Sequence, residues 1–285
     1  MKNIVTRSLS GLVYIALIVC AILFGGRWGF PALCALFAII GVAELHHLCK
    51  DSSEHSHTLG VLDMVGALIL VIGPSALLIA AGDSAIDMLP VGASALSAYL
   101  IYIIARLVCQ LYLPQENAIH SLSAGFMSQV YIALPLCCAA MLYLVCGKAL
   151  VLTMFVLIWL NDTGAFCVGS AIGRHRLFER ISPKKSWEGF FGGLFFAIAA
   201  GLLIKIIWPL QTPGWSLLQM GILGAVVSVF ATWGDLAESL IKRTAHLKDS
   251  GHIMPGHGGI LDRIDSLLLV APATVCYITI LLMFR

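Results

Sequence analysis

Apolar residues run along this chain in long blocks, separated by short polar stretches. A helix needs about 20 apolar residues to cross a bilayer, fewer or more where the bilayer thins or the helix tilts. The blocks predict nine such helices, over roughly 8–25, 28–45, 61–81, 88–112, 122–146, 149–172, 189–209, 216–236 and 266–284. Only Gly25, Gly26 and Arg27 divide the first two, which predicts a tight hairpin. The sixth is interrupted by Asn161-Asp162-Thr163-Gly164, a turn-like run expected to break the helix and lead Asp162 into a polar cavity. The first block follows Lys2 and Arg7, as in a signal peptide. It has no clear small-x-small cleavage site, and a second apolar run follows at once, so it is read as a retained span. Residues 1–150 thus hold about five spans. Residues 151–285 hold the rest, together with a polar loop at 239–265. The expected fold class is all-α and polytopic, with both regions packed as one membrane domain.

Composition agrees with this picture. The chain of 285 residues is 60% hydrophobic and 11% charged, where soluble proteins average about a quarter charged. Eight of the nine cysteines lie in or beside apolar runs and Cys49 borders a loop, with no CxxC pair, so neither a disulfide framework nor a zinc ribbon is expected. Nine spans put the N-terminus and the loops after spans two, four, six and eight on one side. That side gathers thirteen of the seventeen Lys and Arg residues, Arg106 among them. Basic loops stay cytoplasmic. The loops 173–188 and 237–265 are therefore expected on the cytoplasmic face, and the C-terminus outside.

Charge is concentrated in "KRTAHLKDSGHIMPGHGGILDRID", Lys242 to Asp265. It holds seven of the 32 charged residues (Lys242, Arg243, Lys248, Asp249, Asp262, Arg263, Asp265) and three of the nine histidines. If the eighth span continues as a helix past the bilayer, Asp235, Ser239 and Lys242 share one face, with Glu238 beside them. A carboxylate at mid-bilayer costs about 2.5–3.5 kcal/mol, so such a group is normally paired or ligating. An ion pair with Lys242 is the plain reading, above all for Glu238. "MPGHGG" can act as a hinge, or let backbone N–H groups approach an anion. Asp262 and Asp265, three apart on a helix, read as an N-cap and a first-turn acid, and equally as a carboxylate pair for a cation.

The donor set favours a hard cation. His246, His252 and His257 have no cysteine near them and form no HExxH, whereas aspartates suit Mg²⁺, Mn²⁺ or Ca²⁺. Carboxylates mixed with Lys and Arg suit a phosphate–Mg²⁺ complex, because cations neutralise the oxygens the metal leaves free. "RISPKKSWEG" opens the seventh span. Ser182 is expected to cap that helix, with Pro183 in its first turn and Lys184 and Lys185 beside a phosphate. Asp162, an intramembrane acid, is a functional candidate by default.

The stretch Ser239–Asp265, "SLIKRTAHLKDSGHIMPGHGGILDRID", closely resembles the signature of CDP-diacylglycerol synthases, also called phosphatidate cytidylyltransferases. "NDTGAF" and "SPKKSWEG" also resemble that family, and motif-level similarity covers roughly 159–266. Bacterial members often read Ser-Pro-Gly-Lys-Thr where this chain has Ser182-Pro183-Lys184-Lys185-Ser186, so Lys185 matches the family lysine and Lys184 departs from it.

The resemblance implies a bacterial inner-membrane enzyme whose site faces the cytoplasm. It would join CTP to phosphatidic acid in the membrane, giving CDP-diacylglycerol and pyrophosphate. It also implies Mg²⁺, with or without a second cation, and a homodimer of nine-helix subunits; no nucleic-acid partner is implied. On that reading Asp235, Asp249 and Asp262 are the leading metal ligands, followed by Asp162 and Asp265. Lys185, Lys242, Arg243, Lys248 and Arg263 hold phosphates, with Lys248 near the reacting groups. Ser182, Gly256, Gly258 and Gly259 donate hydrogen bonds, and His257 orients a phosphate or the leaving pyrophosphate. Three rivals remain at this point. A cation transporter leaves the clustered Lys and Arg unexplained. A CDP-alcohol phosphotransferase would carry a DGxxAR-type motif, which is missing. A membrane scaffold with a basic face would release no pyrophosphate.

Overall fold

In the computed structural model, residues 2–49, 56–81, 88–113, 117–210, 214–251, 253–254 and 258–284 are described. The fold is an all-α polytopic membrane protein. Among the described residues eight helices are long and apolar enough to cross a membrane, and a ninth carries the shorter apolar run Leu9–Phe24. In hydrocarbon every backbone N–H must be satisfied within its own segment, which is why such a sequence folds as helices.

The chain divides into two compact units, each described by itself. The first comprises Met1–Val145 and Ala245–Arg263. Its helices are α1 (Lys2–Phe24), α2 (Gly26–Leu48), α3 (Ser56–Ala81), α4 (Met88–Tyr112), α5 (Ala118–Met127) and α6 (Leu134–Cys146). A π-helical segment, Ser128–Ala133, joins α5 to α6. The predicted fifth span is therefore one crossing with a π turn inside it. Phe30, Ile22, Leu45, Leu59, Ile132 and Leu136 are buried in this unit.

A polar cluster lies within that apolar packing. Asp63 on α3 is fully buried. Its Oδ1 accepts from Tyr102 Oη at 2.8 Å and Arg106 Nε at 2.9 Å. His46 Nε2 is 3.0 Å from its Oδ2, and Gln129 of the π segment donates to its backbone carbonyl at 2.8 Å. Arg106 is thus not a loop charge setting orientation, as its place in the sequence suggested. It is 4% exposed and neutralises an acid between helices. Lipid tails give no hydrophobic drive between helices, so bonds of this kind and close packing hold the unit together.

The second unit comprises Cys146–Thr244 and Ile264–Arg285. It contains α7 (Lys148–Ile172), β1 (Arg176–Phe178), β2 (Ser182–Ser186), α8 (Trp187–Ile207), α9 (Leu217–Thr244) and most of α10 (Leu261–Met283). α8 packs on both α7 and α9.

Three sequence expectations are corrected here. The Asn-Asp-Thr-Gly run does not break α7, which continues through it. Neighbours satisfy the polar side chains, so the helical ladder stays intact: Ser228 Oγ donates to Asn161 Oδ1 at 2.6 Å, and Thr163 Oγ1 bonds back to the Trp159 carbonyl at 2.8 Å. Ser182 does not cap α8. It lies in β2, opposite Phe178, and Ser186 caps the helix by accepting from Gly189 N–H at 3.1 Å. The hairpin takes up the residues that would have made an earlier turn. Nor is Asp262 the N-cap of α10: the helix opens at Leu261 and Asp262 stands inside its first turn.

Candidate active site

In the second unit, α9 and α10 meet at Gly234. A Cβ there would lie 2.6 Å from the Asp265 carbonyl oxygen and 3.1 Å from Ser266 Cα, so only glycine permits the approach. Ser266 Oγ donates to the Ala231 carbonyl at 3.3 Å across the same seam. This contact brings Asp235 and Asp265 together. Each offers a carboxylate oxygen, and with one from Glu238 these atoms all lie within 4.8 Å of one another. Backbone approach between helices, rather than spacing along the chain, thus builds the acidic cluster.

The expected helical face of α9 exists. Ser239 Oγ lies 3.2 Å from Asp235 Oδ1, and Glu238 pairs with Lys242 four residues on. Glu238 is buried. The plain ion-pair reading therefore describes Glu238 and Lys242, and this expected phosphate-binding cation is already paired. Asp235 takes another partner: Lys185 Nζ of β2 is 2.7 Å from its Oδ2. The hairpin is steadied over α9 by Phe178, whose ring meets Trp233 edge-on at 5.8 Å.

Asp162 is exposed on α7 and lines a cavity of about 470 Å³ together with Asn161, Lys184, Lys185, Thr232 and Asp235. A cavity opens beside Asp162 without the expected helix break, and more of its lining is apolar than the expectation of a polar cavity implied. Its size suits a small ligand. A lining that holds an acid, an amide and two lysines together with Phe166 and Phe190 can take an anionic headgroup and its apolar attachment.

In the first unit, Asp262 Oδ2 accepts from Ser250 N–H at 2.9 Å, Ser250 Oγ at 3.0 Å and Gly259 N–H at 2.8 Å. Gly258 has φ +84°, and a Cβ on it would stand 2.4 Å from the same oxygen. Gly258 and Gly259 thus make room for the Asp262 carboxylate, and Gly259 donates to it rather than outward. Asp249 and Lys248 are exposed, as is Arg243 near the end of α9 in the second unit. The Arg263 carbonyl accepts from Tyr14 Oη at 2.9 Å. Gly256 and His257, like His252, lie outside the described residues.

One residue near these groups escaped the sequence reading. Glu44 of α2, 5% exposed, accepts from Ile260 N–H at 2.9 Å, Leu261 N–H at 2.8 Å and Ser250 Oγ at 2.9 Å. Its only local signal was an acid inside an apolar block.

Comparison with known proteins adds the family. Residues 5–281 match the model of the cytidylyltransferase family, and the chain belongs to that family. A phosphatidate cytidylyltransferase of Staphylococcus epidermidis is 46% identical over 126 residues, covering 44% of this chain and 47% of that protein. Those of Staphylococcus saprophyticus and Staphylococcus aureus are 44% identical over the same length and shares. The chain thus spans about half the length of the curated relatives it matches.

Proposed function

We propose that this member of the cytidylyltransferase family is a CTP:phosphatidate cytidylyltransferase. A phosphate oxygen of phosphatidate attacks the α-phosphorus of CTP. The new P–O bond forms as the bond from that phosphorus to the bridging β-phosphate oxygen breaks. CDP-diacylglycerol and pyrophosphate result. The phosphomonoester is already largely anionic near pH 7, its second pKa being about 6, so no activated serine or cysteine is required. The difficulty is bringing two polyanions together, a matter of positioning and charge.

The observation that carries the reading is the meeting of Asp235, Asp265 and Glu238 oxygens within 4.8 Å, beside Lys185. All three donors are hard carboxylate oxygens, which fit Mg²⁺. Asp235 and Asp265 would hold it, with Asp162, Asp249 and Asp262 as the further carboxylates proposed to serve the same chemistry. When bound, the ion supplies charge neutralisation and orientation for the phosphates. A second cation is compatible with that number of acids.

Lys185 exchanges its Asp235 partner for a phosphate oxygen as the substrate enters. Lys248, Arg243 and Arg263 neutralise further oxygens, and Lys242 does so to the extent that Glu238 releases it. Gly258 and Gly259 leave room for Asp262, which ties Ser250 to Gly259. Gly256, His257 and Ser182 keep their proposed roles as phosphate-facing donors. Phosphatidate enters from the leaflet toward Asp162, and CTP from the water. The site faces the cytoplasm of a bacterial inner membrane, and the working unit is a homodimer. The homodimer, the membrane and the substrates rest on family resemblance.

Purified protein with radiolabelled CTP and phosphatidate, with and without Mg²⁺, tests the reaction. A labelled liponucleotide and pyrophosphate, formed only with the metal, are expected. A chain that moves Mg²⁺ into proteoliposomes and forms no liponucleotide would be a transporter instead.

A further inference from the structure

Glu44 holds a loop twelve residues long by both ends. Its Oε2 accepts from Ser250 Oγ at 2.9 Å, next to Asp249, and from Leu261 N–H at 2.8 Å, next to Asp262. Its Oε1 accepts from Ile260 N–H at 2.9 Å. Ser250 Oγ also lies 3.0 Å from Asp262 Oδ2. A hydroxyl has a single proton, so this one bridges two carboxylates while donating to one at a time. The carboxylate sits in a cradle without spare room: a Cβ at Gly259 would come within 2.4 Å of Oε2, and one at Gly251 within 2.6 Å of Oε1. An acid placed in an apolar helix, buried, and spending both oxygens on a loop more than 200 residues away is poorly explained as packing alone.

We propose that Glu44 is a positioning residue for cytidylyl transfer: from α2 it ties Ser250 to Ile260 and Leu261, and so fixes the direction in which the neighbouring Asp249 and Asp262 present their carboxylates, without itself touching substrate. This rests on the reaction proposed above. Outer groups that orient metal-binding side chains typically change metal affinity by about 10–100-fold when altered. The effect of losing Glu44 therefore falls on metal dependence before it falls on the turnover at saturation.

The test uses the full chain in detergent. Glu44→Gln keeps the size but replaces one acceptor oxygen by an NH₂ group, which cannot accept from a backbone N–H. The expected result has three parts. Amide hydrogen exchange at Ile260 or Leu261, whichever loses its acceptor oxygen, accelerates at least about tenfold. Half-saturation by Mg²⁺ rises about tenfold. At saturating Mg²⁺ kcat stays within about threefold and KM for CTP is unchanged. Ser250→Ala removes the hydroxyl that bridges Glu44 and Asp262, leaves the backbone bonds to Glu44, and shifts the Mg²⁺ half-saturation in the same direction by about threefold. Unchanged exchange in Glu44→Gln overturns the proposal. So does a loss of kcat and thermal stability with Mg²⁺ half-saturation unmoved. If Glu44→Gln does not fold, an unmoved Mg²⁺ half-saturation in Ser250→Ala overturns it. If the unmodified chain makes no liponucleotide, the reaction is wrong, and the exchange rates of Glu44→Gln alone then decide whether Glu44 holds the loop.

Discussion

Lys185 Nζ and Asp235 Oδ2 stand 2.7 Å apart, tying β2 to α9. Both side chains are partly exposed, at 25% and 38%. Solvent screening leaves such a pair worth about 0–1 kcal/mol of stability. Its significance is therefore where it puts the charge, at a cavity wall shared with Asp162. Lys185→Gln is expected to lower cytidylyltransferase activity by about 10²-fold, the cost of removing one positioned charge donor. Its thermal midpoint in detergent should stay within a degree or two of normal, on the order of a surface substitution. Steady-state rates and a melting curve on the same preparation check both halves.

The seam at Gly234 gives a sharper geometric test. Gly234→Ala places a methyl 2.6 Å from the Asp265 carbonyl oxygen, so α9 and α10 must separate and the carboxylates of Asp235 and Asp265 with them. A displacement near 1 Å at a reacting centre costs about 10²-fold. A comparable fall in activity is expected, with protein still recovered from the membrane. Activity within about threefold of normal would show that the approach of the helices does not set the site.

The buried cluster of α3 and α4 bears on stability instead. Arg106→Leu leaves the Asp63 carboxylate buried without its guanidinium. Breaking such a pair from one side costs about 3–5 kcal/mol. The double variant Asp63→Leu/Arg106→Leu is expected to be more stable than Arg106→Leu alone, because no orphan charge is left. Denaturant titration in mixed micelles measures the order of the three proteins.

Metal removal separates ion chemistry from lysine chemistry. Protein treated with EDTA is expected to lose liponucleotide synthesis entirely. Mg²⁺ or Mn²⁺ should restore it, and Ca²⁺ should restore less than about a tenth, since its longer bonds and looser coordination fit a compact carboxylate set poorly. Equal activity with Ca²⁺ would argue for a site that merely screens charge.

The spans were legible because hydropathy is a local property, and bilayer thickness fixes the length of the blocks. The partnership of Glu238 with Lys242 and of Asp235 with Ser239 was legible for the same reason: four residues make one helical turn. What failed was also local, but ambiguous. Ser182-Pro183 read as a helix opening, but Ser182 pairs with Phe178 in a hairpin and Ser186 caps the helix instead. Asn161 looked like a helix breaker until Ser228, 67 residues away, supplied its partner. Glu44 and Asp63 were invisible as functional or structural centres, because each depends on partners brought in by folding. Glu44 finds Ser250 at a separation of 206 residues, and Asp63 finds Arg106 at 43. No periodicity in one sequence encodes such meetings.

Everything chemical here depends on carboxylates of α9 and α10 taking a divalent ion together. Mn²⁺ binding to the purified chain, read by electron paramagnetic resonance with and without CTP, measures that directly. The unmodified protein is expected to bind Mn²⁺ at a site that Asp235→Asn and Asp265→Asn each weaken by at least about tenfold, as the loss of a ligand requires. Mn²⁺ affinity and stoichiometry unchanged in both variants would mean that these two aspartates hold no metal.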